Sequence, residues 1–438
     1  MVIDVIRVEY QGTVVGYVSY NDNNGLGAFE YDRQFVDTGV ELSPLKMPLS
    51  NKIYQFPGLS EETFKGMPGM IADSLPDDFG NEILNAWVAS QGRVPSEITP
   101  LERLQYTGKR GMGALEYLPA KQRAGFNGSE PVQISQLVEI AQEIVDSREK
   151  FNLELSGDNS ENQDAMRALM SVGMSAGGAR PKAVLAFNDD FTEVRSGQAK
   201  VPQGFTHYLM KFDGVSEHNA NKETFGDPMG YGVMEYVYYL MATDFGIDME
   251  PTQLFTEGDR RHFLTRRFDR RGNDKIHIQT LNGLAHVDFK KPGSYSYEEL
   301  FGVIRVLGLS RDAATQLFRR MAFNIVARNH DDHAKNFAFQ LKQGGWELAP
   351  AYDVAYSYKP GSRWVNSHWM TLNGKRDNFV RDDFYKLRKL SPLFKKSFVD
   401  EILDEVINSV SRWPELAKEH GVPQELAELI RQNLRLAI

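Results

Sequence analysis

"NHDDHAKNFAFQLKQGGWELAPAYDVA" spans residues 329–355. Its first eight positions hold two Asn, two His, two Asp and a Lys; two short apolar runs about a Gly-Gly pair follow, and then Asp353 inside "AYDVA". "FAFQL" and "WELAP" read as the strands of a hairpin turned on Gly344–Gly345. With that two-residue turn residue i faces residue 689 − i, which sets Asn336 opposite Asp353. Upstream, "SRDAATQLFRRMAFNIVARN" keeps Leu317, Phe318, Met321, Ala322, Ile325 and Val326 on one face, so a buried helix over 311–328 delivers the chain to the polar loop. One Asp, an Asn five residues later and a second Asp returned by a hairpin is the spacing of a phosphoryl-transfer centre. In D-x-x-x-x-N catalytic loops the Asp takes the hydroxyl proton, while the Asn and the returning Asp hold Mg²⁺ through oxygen. The alternative for the same residues is a helix end capped, and a loop filled, by Asp, Asn and His.

A phosphotransferase also needs a phosphate-covering loop and a lysine upstream. "VGMSAGGARPKAVLAF", 172–187, offers Gly173, Gly177 and Gly178, with Lys182 opening the strand that follows. It is not a Walker A loop, because no Gly-Lys-Ser/Thr stands at the right place. Lys211 ends the strand "THYLMK", and Glu235 lies on the helical "YGVMEYVYYLMA", as its candidate ion-pair partner. Taken singly, a structural turn, a solvated Lys and a surface Glu account for these residues; their order along the chain favours the functional set.

Around this centre the chain reads as α+β. Residues 1–45 alternate as strands, "PDDFGNEILNAWVASQG" is a helix with an acidic first turn and Gly92 past its end, and "LPAKQRAGFNGSEP", 118–131, is the best linker. "SQLVEIAQEIVDSREK" is a helix behind Ser135 as candidate N-cap, and "KAVLAFNDD" with "FTEVRSG" is a hairpin. From 296 the pattern is mainly helical and opens with a Ser296/Glu299 capping box. We expect parts at 1–120, 132–275 and 276–438.

Composition narrows the classes. With 41% hydrophobic and 25% charged residues the chain is of the soluble globular kind, and its net charge of −9 argues against a protein that grips phosphate backbones unaided. The absence of Cys excludes disulfides, a thiolate nucleophile and Cys-bound zinc. No apolar run is long enough for a membrane span and "MVIDVIRVEYQG" lacks a secretory pattern, so a cytoplasmic location is expected.

"MSAGGARPKAVL", "THYLMKF", "RRFDRRG", "NHDDHAKNFAF" and "APAYDVA", in that order, resemble the motifs of the HipA-type serine/threonine kinase toxins of bacterial toxin–antitoxin modules. "SLPDDFGNEIL" with "GKRGMGAL" resembles that family's N-terminal subdomain. The resemblance implies an α+β chain with a kinase-like, two-lobed C-terminal part (a mixed α/β lobe plus a mainly helical one) behind an N-terminal α/β subdomain. It implies Asp331 as catalytic base, Asn336 and Asp353 as Mg²⁺ ligands, Lys211 as a contact to ATP phosphates, and His333 near the γ-phosphate. Phe268, in "RRFDRR", would lie against adenine, and Ser175 matches the serine that members autophosphorylate. Further implications are a small HipB-like helix-turn-helix antitoxin, operator DNA bound through it, and an aminoacyl-tRNA synthetase, typically the glutamyl enzyme, as the phosphorylated protein.

The sequence departs from the family at Arg266, where Glu is common, and at Asp332, where Gly is common. Asp332 adds a carboxylate beside the metal ligands and offers an alternative base. Arg260, Arg261, Arg266, Arg267, Arg270 and Arg271 form either a solvated hairpin or a patch for acidic partners. "GKRGMG", 108–113, reads as a structural turn. Two rival functions stand beside the kinase: a metal-dependent phosphohydrolase using "HDDH", and a catalytically silent scaffold that holds a DNA-binding partner.

Overall fold

The computed structural model describes residues 5–120, 131–146, 169–170, 172–173, 180–216 and 226–438. Ser175, Gly177 and Gly178, and most of the 118–131 linker, lie outside the described residues. The chain divides into two compact units, one of residues 1–232 and 253–278, the other of 233–252 and 279–438. Among the described residues no helix is long and apolar enough to cross a membrane.

The first unit opens with the alternating strands expected. Val5–Tyr10, Thr13–Asn21 and Leu26–Tyr31 form an antiparallel meander, and Leu115–Leu118 adds to the free side of the first strand. A second sheet of five strands runs in the order Thr252–Glu257, Arg260–Arg266, Phe205–Lys211, Lys182–Asn188, Val194–Ser196. The expected hairpin is there, with Leu185 opposite Ser196 and Phe187 opposite Val194.

One apolar core serves both parts of this unit. Phe79, Ile83, Leu84 and Trp87 from the helix Asp78–Ser90 pack with Leu137, Ala141 and Ile144 from the helix Ile134–Asp146, and with Ala183, Leu185 and Phe187 of the second sheet. Apolar spacing puts these residues on one side of each helix, and the strand's near-continuous apolar run suits a strand covered on both faces. The second of these helices begins at Ile134, so Ser135 lies in its first turn and is not its cap.

In the second unit the capping signals are obeyed. Ser296 Oγ accepts from Glu299 N and the Glu299 carboxylate accepts from Ser296 N, which closes the box ahead of Tyr297–Val306. Ser310 caps the helix Arg311–Val326, whose Leu317, Phe318, Met321, Ile325 and Val326 are fully buried. Tyr238, from the helix Tyr231–Asp244, donates its hydroxyl to Ala327 O at 2.7 Å and thereby fixes the end of that buried helix.

The hairpin forms, but its register differs from the one expected. Lys342 faces Gly345 and Phe339 faces Leu348, so the turn is Gln343–Gly344. A type I′ turn on Gly344–Gly345 needs positive φ at both residues, and only Gly345, at +116°, has it. A positive-φ glycine just after the turn is the mark of the longer, bulged hairpin loop. The strands also stop at Ala338 and Leu348, so Asn336 is not paired across the ladder with Asp353.

Candidate active site

Helix Arg311–Val326 ends where Arg328 turns into the left-handed region at φ +59°, and the loop 329–336 starts there. From His330 to Lys335 its side chains alternate between buried and partly exposed. His330 and Asp332 are buried to 0% and 1% exposure, whereas the Asp331 side chain keeps 39% of its surface. His330 Nδ1 lies 3.2 Å from Val365 O, its ring packs on His368 with centroids 4.1 Å apart, and burial holds its pKa far below the ordinary value.

Asp332 is the anchor. Its carboxylate accepts from the Tyr297 hydroxyl (2.7 Å), His368 Nδ1 (2.9 Å), Trp369 N (2.7 Å) and Met370 N (3.4 Å). Every oxygen is thus committed to the interior, which corrects the expectation of an alternative base. Tyr297 in turn accepts from Asn324 Nδ2 at 3.3 Å, and burial together with the Asp332 charge pushes its hydroxyl far above the usual phenol value.

The more exposed side of the loop carries Asp331, His333 and Asn336. His333 Nε2 approaches Asp331 Oδ1 at 3.6 Å. Asn336 sits at the end of the short 3-10 turn Ala334–Asn336, its N donating to His333 O at 2.9 Å and its Nδ2 to Asp331 O at 2.7 Å. Although the ladder register is different, the segment of Asp353 still returns to this loop: Asn329 Nδ2 donates to Asp353 O at 3.3 Å, and the Tyr352 hydroxyl to Lys335 O at 2.5 Å. Asp353 has φ +54°, a conformation uncommon outside glycine, held here by those contacts of its neighbours.

These residues suit magnesium in kind. Asn336 and Asp353 supply oxygen donors, and the bond from Asn336 Nδ2 to Asp331 O fixes which end of the amide is the carbonyl. Among the described residues no group of three or more His, Asp or Glu is placed to hold a metal ion. An all-protein metal cage would need such a group; a Mg²⁺ that keeps waters and phosphate oxygens does not.

In the first unit Lys211 and Lys182 are register partners on neighbouring strands, and Lys211 also faces Phe263, with Nζ 5.5 Å from that ring. Both lysines are buried, at 3% and 2% exposure, so neither is a solvated surface charge. Glu235 is buried as well, at 2%, and belongs to the second unit. Phe268 is half-buried in the turn after the strand Arg260–Arg266.

In the Arg-rich stretch Arg267 and Arg270 are buried, Arg260, Arg261 and Arg266 are half-buried and Arg271 is exposed. Asp269, fully buried, accepts from Arg267 Nε (2.8 Å) and Nη2 (2.7 Å), Arg270 Nη1 (2.7 Å) and Gly113 N (2.8 Å). Burial alone would raise its carboxyl pKa, but the two guanidinium groups and these bonds carry it far below the carboxylate range. Arg270 also donates to Gly111 O and Gly113 O, so "GKRGMG" is a structural turn clamped to this strand end.

Sequence reasoning misses Asp213. It is buried, accepts from Gly230 N and Gly232 N, and so clamps the start of the helix Tyr231–Asp244. It misses His368 too; nothing near "SHWM" signals a partner 36 residues away.

Comparison with known proteins agrees with this layout. The family model of the HipA-like C-terminal domain matches residues 174–414, and that of the HipA N-terminal domain residues 6–118. "Putative kinase Y4mE" of Sinorhizobium fredii is 25% identical over 81% of this chain and 77% of its own length. A "Putative kinase" of Haemophilus influenzae is 23% identical over 60% of this chain and 80% of its own. Among solved structures, the HipA toxin of Shewanella oneidensis, in complex with HipB and its operator DNA, superposes with a TM-score of 0.65 at 17% identity, over 98% of this chain and 94% of that one. The α+β fold is therefore that of HipA.

Proposed function

Since the chain belongs to the family of the HipA-like C-terminal domain, we propose that it is an ATP- and Mg²⁺-dependent kinase that phosphorylates serine or threonine on a protein. The observation that carries this reading is the loop 329–336, which presents Asp331 outward while Asp332 and His330 lock it from behind. In this reading Asp331 accepts the proton of the attacking hydroxyl, and Asn336, bonded to the Asp331 carbonyl, keeps that carboxylate and the metal-facing amide in one rigid loop. Mg²⁺ held by Asn336 and Asp353 would neutralise charge on the transferred phosphoryl group. Lys211, with Lys182 opposite it, concentrates positive charge suited to polyphosphate, Gly177 and Gly178 would cover it, and Phe268 would meet the base.

The relatives extend the reading. The Shewanella protein is a toxin bound to HipB and operator DNA, and we assign this chain a HipB-like antitoxin and the toxin role. An aminoacyl-tRNA synthetase, in first place the glutamyl enzyme, in the cytoplasm, is the proposed acceptor. Ser175 is the proposed site of autophosphorylation, where about −1.5 to −2 units of charge would oppose ATP phosphates and silence the enzyme.

The deciding experiment incubates the full chain, its Asp331→Asn variant and its Ser175→Ala variant with labelled Mg-ATP and acceptor proteins. A kinase transfers label, loses transfer with Asp331→Asn, and loses only self-labelling with Ser175→Ala. A silent scaffold transfers none in any form. Label that stays on the 172–187 peptide of Ser175→Ala refutes the assignment of that serine.

A further inference from the structure

The carboxyl end of the helix Arg311–Val326 is held from three separate segments. Arg435 N donates to Val326 O at 2.9 Å, the Tyr238 hydroxyl to Ala327 O at 2.7 Å, and Ser357 N to Arg328 O at 3.1 Å. The last carbonyls of a helix have no partner within it, so bonds from outside fix where the chain goes next. Here it enters the loop 329–336 with Asp331, and Ser357 stands four residues past Asp353.

Arg328 is the node of this junction. Its φ of +59° is one that a residue with a Cβ adopts only where its surroundings impose it. Its guanidinium is tied on three sides: Nε donates to Asn433 O at 2.8 Å, Nη1 lies 3.3 Å from Asp377 Oδ1, and the group sits 4.7 Å over the Tyr358 ring. Arg435, just after the helix Gln424–Asn433, donates to the same Asp377 oxygen and lies over Phe379 at 5.4 Å. Burial and the nearby Arg328 charge lower the pKa of Arg435 to about 10, so it remains a cation at neutral pH. Glycine takes a left-handed φ at no steric cost, so backbone shape alone does not call for an arginine at 328. The bonds of its guanidinium do.

We infer that Arg328, clamped by Asn433, Asp377 and Arg435, is a positioning residue for phosphoryl transfer, setting the loop of Asp331 and the segment of Asp353 from one point. The inference rests on the phosphotransfer reading. Arg328 acts through the backbone: its own dihedral aims the loop that starts at Asn329, and its carbonyl, through Ser357 N, fixes the segment behind Asp353. A base and a metal ligand on two segments keep their mutual geometry only while both segments are held. Misplacement by about 1 Å costs on the order of 10²-fold in rate.

The test compares the full chain with its Arg328→Gly and Arg435→Ala variants, following label from Mg-ATP onto glutamyl-tRNA synthetase and onto the chain itself. Arg328→Gly leaves the left-handed backbone unstrained and removes the clamp; Arg435→Ala removes the clamp's far side and leaves Arg328 in place. At a temperature where circular dichroism shows both variants folded, each should lower the maximal rate of transfer by roughly 10–100-fold, with KM for the synthetase unchanged. The Mg²⁺ concentration for half-maximal transfer should rise several-fold, because the segment of Asp353 loosens with the loop. Amide hydrogen exchange should quicken in 329–336 and 354–357 together. Transfer at the parental rate, or a loss of rate no larger than the loss of folded chain, overturns the inference. If the parent labels neither protein, the kinase reading fails and exchange decides alone: quickening in both segments upholds Arg328 as the residue that positions them, and parental protection in either overturns it.

Discussion

Adjacent carboxylates in one loop have opposite fates, and two substitutions separate them. Asp331 is accessible and makes no buried network, so Asp331→Asn should leave the melting curve within about 0.5 kcal/mol of the parent. It should lower phosphotransfer by roughly 10²–10⁴-fold, as loss of a general base does. Asp332→Ala should do the reverse in kind: removing an acceptor of four bonds leaves Tyr297, His368 and two backbone N–H groups unsatisfied, at a cost of about 3–5 kcal/mol, read by chemical denaturation. The motif spacing makes Asp331 visible from sequence. It cannot separate the roles of the two aspartates, because that depends on Tyr297 and His368, which lie 35 and 36 residues away in opposite directions.

Elements with short-range signals are legible, as the Ser296–Glu299 box and the Ser310 cap show, since their bonds close within three residues. The hairpin tests the limit. Two adjacent glycines allow more than one turn, and only the backbone angles reveal that Gln343–Gly344 makes it. Gly345→Ala should therefore cost about 1 kcal/mol through its positive φ, although no atom lies within 4 Å of an added methyl, whereas Gly344→Ala should be nearly neutral. Equal losses in thermal melts of the two variants would point back to a turn centred on the glycine pair. The burial of Arg267 and Arg270 is hidden for a related reason: composition shows charge, but the Asp269 contact to Gly113 spans 156 residues and leaves no local trace.

Across the whole chain, pH acts through buried histidines, His207 and His277 of the first unit among them. Burial and the nearby Arg267 and Arg270 charges lower His207 to about 4, and burial lowers His277 to about 4. Each folded ring stays neutral where the unfolded one, near pH 6.5, takes a proton, so stability is full above that pH and falls as pH drops towards 4. The loss should reach roughly 3 kcal/mol per histidine, and His207→Gln should flatten the pH dependence of the urea midpoint over that window. The alternating N-terminal strands, the two-sided strand at 182–188 and the helical second half are all written in apolar periodicity. The common core of the first unit is not, because no pattern within 78–90 or 182–188 says that the two segments share a hydrophobic interior. That interior has a genetic corollary. A gene interrupted between codons 120 and 131 would yield two polypeptides, each with a greasy face laid bare, and co-expression should let them reunite into one soluble particle.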